Sequence, residues 1–192
     1  MSARYHIFRL ALNRNKAVQA VDYVAQRWPG VTQYYVCKII YFADKAHCLD
    51  WGRTITGDRY VAMDHGPVPS RVYDMLKPAY CEEDDVLEAI AQRLTWNVRG
   101  NRIHLFSNGM NAFPALAQSE IDHLDAAIAL CRGMSFSALR EFSHRELAWR
   151  RASESAESSN PPMDLVDWFE QENMDRERGA HDLLEDAKFG IR

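Results

Sequence analysis

Val18, Val21, Val24, Ala25 and Trp28 recur at the three- and four-residue spacing of one helix face, so a helix is expected over residues 16–28, closed by Pro29-Gly30. A broader apolar surface follows. Tyr35, Ile39, Phe42, Ala46 and Leu49 form one stripe, and Val36, Ile40 and Ala43 form the stripe beside it. A helix that apolar belongs at the centre of a domain, so Tyr34–Leu49 is predicted as the core helix, with Thr32 as its N-cap and an end near Asp50-Trp51-Gly52.

The pattern then changes period. Ile55 to Met63 is rich in Thr, Tyr and Val and reads as extended, and His65-Gly-Pro-Val-Pro69 reads as a rigid turn because each proline restricts itself and its predecessor. Val72, Tyr73 and Leu76 suggest a short helix closed by Pro78, and Cys81–Leu87 reads as an acidic loop. Leu94, Trp96 and Val98 lie on one side of Arg99-Gly100-Asn101-Arg102, with Ile103, Leu105 and Phe106 on the other, which predicts a hairpin over residues 93–106. A helix capped by Ser119 is expected to Cys131, burying Ile121, Leu124, Ala127, Ile128 and Cys131. Shorter helical stretches follow at Ser135–Phe142 and Glu146–Ala152.

Ser153–Pro162 is a linker by composition, and Met163–Phe169 and Leu183–Phe189 are amphipathic patches in acidic sequence. The expected fold is α+β: a mostly helical domain around a buried central helix, with a small antiparallel sheet. Residues 1–152 would form its body and 153–192 an acidic C-terminal extension.

Composition narrows the functional classes. At 192 residues, 47% apolar and 26% charged, the chain is long enough for one globular core. No apolar run approaches a membrane span, and the N-terminus lacks a signal-peptide core and cleavage site, so cytoplasm is the expected location. The net charge of −4 is uneven: residues 153–192 hold 11 acidic and 4 basic side chains, a balance of −7, against +3 for residues 1–152. That distribution argues against a nucleic-acid partner. Cys37, Cys48, Cys81 and Cys131 are too widely spaced for a zinc ribbon or a disulfide framework.

Candidate chemistry is sparse. Asp44, His47, Asp58, Asp64 and His65 could be assembled into a metal site, but no HxxxH or HExxH pair is present. A satisfied structural network is the preferred reading, with His65 bonding neighbouring backbone and Asp58 capping, or pairing with Arg59 or Lys45. Ser143 and His144 are adjacent, so their side chains diverge, and no nucleophile elbow is present. Ser143 reads instead as an N-cap, with Glu146 completing a capping box and Trp149 packing that helix onto the core. Tyr34, Tyr35, Tyr41, Trp51 and Tyr60 are numerous enough for a contact surface, though Tyr35 and Phe42 are expected in the core.

Three blocks resemble the Panacea-domain, SocA-like antitoxin family, once known only as an uncharacterised phage-associated domain. They are Lys38-Ile-Ile-Tyr-Phe-Ala-Asp44; Ile55-Thr-Gly-Asp-Arg-Tyr60 with Met63-Asp-His-Gly-Pro-Val-Pro69 and Val72-Tyr73; and Leu139-Arg-Glu-Phe-Ser-His-Arg-Glu-Leu-Ala-Trp149. Together they span roughly residues 16–152. The resemblance implies an antitoxin that neutralises a cognate toxin by direct protein binding, with no catalysis and no cofactor. Two alternatives stand beside it: a phage or mobile-element interaction protein without a toxin, and a small metal-dependent hydrolase.

Asp44, Gly57, Asp58, Gly66, Pro67, Pro69, Ser143, His144 and Trp149 are the expected structural motif. Trp51, Tyr60, Asp64, His65, Arg71, Trp168 and Phe169 are the expected partner-binding residues. The acidic segment, with apolar anchors Leu165, Trp168, Phe169, Leu183 and Leu184, either holds the partner or a second copy, or folds back to cap the core.

Overall fold

The computed structural model describes residues 10–77, 84–155 and 159–189. It is an α+β fold with helices in the majority. Helix α1 (Arg14–Arg27) begins where the Asn13 side chain accepts the Lys16 N–H, and a two-residue strand β1 (Val31–Thr32) leads into α2 (Gln33–Trp51). The breadth of the apolar surface on α2 explains its place: Val36–Lys45 are all buried, and Gly52 in left-handed conformation ends the helix. Thr32 stands at the N-cap position but makes no side-chain cap.

Two antiparallel sheets flank this helix. Strand β2 (Tyr60–Met63) pairs with β3 (Gly66–Pro69), and β4 (Leu94–Arg99) pairs with β5 (Arg102–Ser107), whose other edge holds β1. Of the stretch expected to be extended, only its last four residues form the strand, because Ile55 and Thr56 are bonded to Asp44 of α2 and Asp58 to the first turn of α3. Helix α3 (Ser70–Met75) follows β3 directly, and α4 (Asp84–Arg93) precedes β4. The acidic stretch read as a loop therefore opens α4 from Asp84 onward; Cys81 and Pro78 lie outside the described residues.

Helix α5 (Gln118–Arg132) packs along α2, with the Tyr35 hydroxyl on the Met134 carbonyl near one end and His123 on Asp50 near the other, so the two run antiparallel. Ser119 is not its cap: the helix starts one residue earlier, and Glu120 reaches back to the Ala117 N–H. Helices α6 (Phe136–Ser143), α7 (Leu147–Glu154), α8 (Val166–Gln171) and α9 (Arg176–Phe189) complete the order. No helix among the described residues is long and apolar enough to cross a membrane.

The acidic segment packs on the body where it is described. The Ala62 N–H donates to the Pro161 carbonyl, and the Met163 N–H donates to that of Tyr60, fastening residues 161–163 along β2. Met163, Leu165, Val166, Trp168, Phe169 and Leu183 then join the same core as α2. The Leu184 side chain lies outside the described residues.

Candidate functional site

The three sequence blocks meet around α2. Asp44, fully buried, accepts the Ile55 and Thr56 N–H groups at 2.8 and 3.0 Å, the Thr56 hydroxyl, and the Tyr60 hydroxyl at 2.7 Å. Burial pushes its carboxyl up to about 6, against the pull of those hydrogen bonds. Asp58 accepts from the Arg59, Arg71 and Val72 N–H groups, so it caps α3 from outside the helix, where Pro69 has no side-chain cap to give. Its carboxyl is also raised to about 6 by burial. The expected pairing of Asp58 with Lys45 does not occur, since Lys45 bonds Glu146 and Glu172.

A second buried chain joins α2 to the C-terminal helices. The Trp168 indole N–H donates to the Tyr41 hydroxyl at 3.0 Å, and that hydroxyl donates to Glu146 at 2.8 Å. Lys45 holds the same Glu146 oxygen at 2.9 Å, and Gln171 holds the other. Tyr41, Tyr60 and Trp168 pack edge to face in a triangle with centroids 5.2 to 5.7 Å apart.

The third feature is the β2–β3 turn. Trp149 donates to the Met63 carbonyl at 3.0 Å, Arg140 to that of Asp64 at 3.2 Å, and Lys38 to that of Pro67 at 2.8 Å. Gly66 has φ +97°, and a Cβ there would come within 2.3 Å of the Ser143 hydroxyl and 2.7 Å of the Lys38 ammonium nitrogen, so only glycine fits. His144 stacks on Trp149 at 3.8 Å.

Several expected roles change here. Ser143 is no N-cap: it is the last residue of α6 and donates to the Arg140 carbonyl, while Glu146 occupies the N-cap position of α7 without a side-chain bond to that helix, its carboxylate being held by Tyr41, Lys45 and Gln171. The expected His65 bond to backbone is also absent among the described residues; the Asp64 carbonyl is taken by Arg140, and His65 is exposed with its ring against Phe136. Tyr60, Trp168 and Phe169 were expected at a contact surface, yet each is 2% exposed or less, because Asp44 and the aromatic triangle draw them inward.

The rest of the partner-binding set is divided. Trp51 is 60% exposed beside a cleft of about 820 Å³ that includes Met174 and Arg178. Arg71 lines a groove of about 790 Å³ with Leu12, Pro162 and Met163. Asp64 and His65 stand on the hairpin turn near the start of α2, about 25 Å from Trp51 by helix rise.

The candidate metal ligands stay apart. Asp44 and Asp58 spend their oxygens on N–H and hydroxyl donors, and His47 Nδ1 bonds the Arg53 carbonyl at 2.8 Å. Among the described residues, no cluster of three His, Cys, Asp or Glu side chains has the arrangement of a metal site. Sequence reasoning did not single out Phe136 and Arg140 for the turn; the signal available was the place of Arg140 inside the Leu139–Trp149 block and of Phe136 three residues before it.

Residues 36–150 match the family model described as antitoxin SocA-like, Panacea domain. The match excludes α1, which the resemblance had been extended to include. No curated protein and no solved structure matches the chain. The matched span contains the Asp44 node and the whole anchored turn, and by that match the chain belongs to the SocA-like antitoxin family that carries the Panacea domain.

Proposed function

We propose that this chain is an antitoxin that neutralises a cognate toxin by binding it directly, in the cytoplasm and without catalysis or cofactor. The family match over residues 36–150 carries the reading. The geometry supports it, because the residues a hydrolase would use are engaged elsewhere: Asp44 and Asp58 accept from backbone and hydroxyl donors, and His47 donates to the Arg53 carbonyl. Trp51, Asp64, His65 and Arg71 are the residues of the expected set with side-chain surface to offer a partner or a second copy.

Co-expression with the reading frame beside this gene tests the proposal. The neighbour alone should arrest growth, this chain should restore it, and the two should co-purify. A neighbour that leaves growth unaffected favours an interaction protein of a mobile element. A toxic neighbour that this chain fails to restrain rejects the antitoxin reading.

A further inference from the structure

The β2–β3 turn is held far more firmly than a two-residue surface connection requires. Side chains from α2, α6 and α7 grip three of its carbonyls, and Gly66 is seated against Ser143 and Lys38. The tip itself, Asp64 and His65, is left exposed. A surface fixed before contact loses less conformational entropy when a partner arrives.

The surroundings of the turn are cationic and incompletely bonded. Lys38 is 1% exposed, lies 5.4 Å from the Tyr34 ring centroid, and pairs with no carboxylate among the described residues. Arg140 uses Nε on the Asp64 carbonyl and likewise has no acidic partner there. The Tyr34 hydroxyl and His144 Nε2 are the two buried side-chain polar atoms without a hydrogen bond among the described residues, and both belong to this corner. Burial first, then Arg140, Lys38 and His65, hold His144 below its ordinary value. Asp64 contributes its backbone, and its carboxylate pairs with no described residue. Phe136, 42% exposed, lies over this corner with its ring 4.6 Å from that of Tyr34 and 5.3 Å from that of His65.

We propose that this turn is the docking point for a carboxylate of the protein partner, received by Arg140 and His65 at the surface, with Phe136 as the apolar wall. The proposal deepens the antitoxin reading and rests on it for the partner's identity. Arginine suits the role because its terminal nitrogens can meet a carboxylate side by side. An extended polyphosphate is disfavoured, since the chain carries a net charge of −4.

The site is testable without the toxin. Full-length protein is titrated with amidated hexaglutamate, hexalysine and hexaglutamine peptides, with free-carboxyl hexaglutamine added to separate side-chain from terminal carboxylates. Backbone amide and arginine side-chain NMR signals are followed. Saturable shifts at His65, Gly66 and Arg140 are expected with a carboxylate peptide and not with the lysine or amidated glutamine peptides. Arg140→Glu and His65→Asp should each weaken the shift at least tenfold, with unfolding midpoint and circular dichroism retained; His65→Asp leaves every carbonyl anchor in place. No saturable shift at the turn, equal shifts in both variants, or stronger binding of a thymidine oligonucleotide than of hexaglutamate would each overturn the site. In co-expression, loss of growth rescue by both folded variants while Trp51→Ala still rescues supports the proposal. Rescue by all three rejects the site and leaves the antitoxin reading standing, whereas no rescue by the wild type rejects that reading while the peptide titration still decides the site.

Discussion

Lys38 and Asp44 sit six residues apart on the same buried helix, and each carries an ionisable group 1% exposed or less. Around Asp44 each oxygen has two donors, supplied by the loop before β2 and by Tyr60. Around Lys38, among the described residues, there is one carbonyl, an aromatic face, and two neighbouring polar atoms without a hydrogen bond. Burying polar groups costs little when their bonds are replaced and several kcal/mol when they are not. The first region is therefore closed chemistry that holds the fold. The second has bonding capacity left over, and it lies beneath an exposed turn.

The sharpest way to break the contrast is at the closed end. Asp44→Ala removes the acceptor of four buried donors and should destabilise the protein by about 3–5 kcal/mol, read as a lowered urea midpoint. A loss below about 1 kcal/mol would show that those donors find other partners. Trp168→Ala should follow closely, at about 3–5 kcal/mol, by opening a cavity against Tyr41 and Tyr60 and leaving the Tyr41 hydroxyl without its donor. Gly66→Ala should cost about 1–3 kcal/mol from backbone strain, together with displacement of the Ser143 hydroxyl. Its effect on partner affinity should exceed that on stability, since the exposed tip rides on this residue.

Lys38→Met should change stability least, within about 1 kcal/mol at pH 7, because a buried cation that meets no carboxylate among the described residues contributes little that an apolar side chain cannot replace. The pH profile separates the cases. Burial holds Lys38 at about 7 in the folded chain against an ordinary 10.5, so above pH 7 the unfolded chain binds the proton that the folded chain has released. Stability then rises with pH. That rise should appear between pH 7 and 9 in the wild type and vanish in Lys38→Met. Beyond pH 9, Cys37 and Cys131, both pushed up to about 12 from 9.0, ionise first in the unfolded chain and turn the curve downward. The Asp44 contribution has the opposite sign: its carboxyl is raised from 3.8 to about 6, so the stability it adds below pH 4 is lost as pH rises through 6. Identical wild-type and Lys38→Met slopes from pH 7 to 9 would place Lys38 in contact with an anion.

The regular elements were legible because their cause is local. Periods of 3.6 and 2 gave α1, α2 and the β4–β5 hairpin within two residues or so at their ends. The interior network was not, since Asp44 finds Thr56 and Asp58 finds Val72 at separations of 12 and 14 residues that no spacing rule encodes. Ser143 misled for a related reason. Ser and Glu three residues apart fit a capping box, but the neighbouring Gly66 took the serine for packing and left it inside the preceding helix. Trp168 and Phe169 read equally as interface or core, because an apolar patch in acidic sequence carries no sign of what covers it. The Lys38 block was recognisable as a family mark, yet the missing counter-charge became visible only once its surroundings were assembled.

Trp168 lies eighteen residues past Arg150, where the family match stops, yet it is fully buried against Tyr41. The span that matches the family and the span that shares one hydrophobic core are thus different lengths. A chimaera that borrowed residues 36–150 from another member and kept this tail would have to seat Trp168 against whatever side chains that member places at Tyr41 and Tyr60.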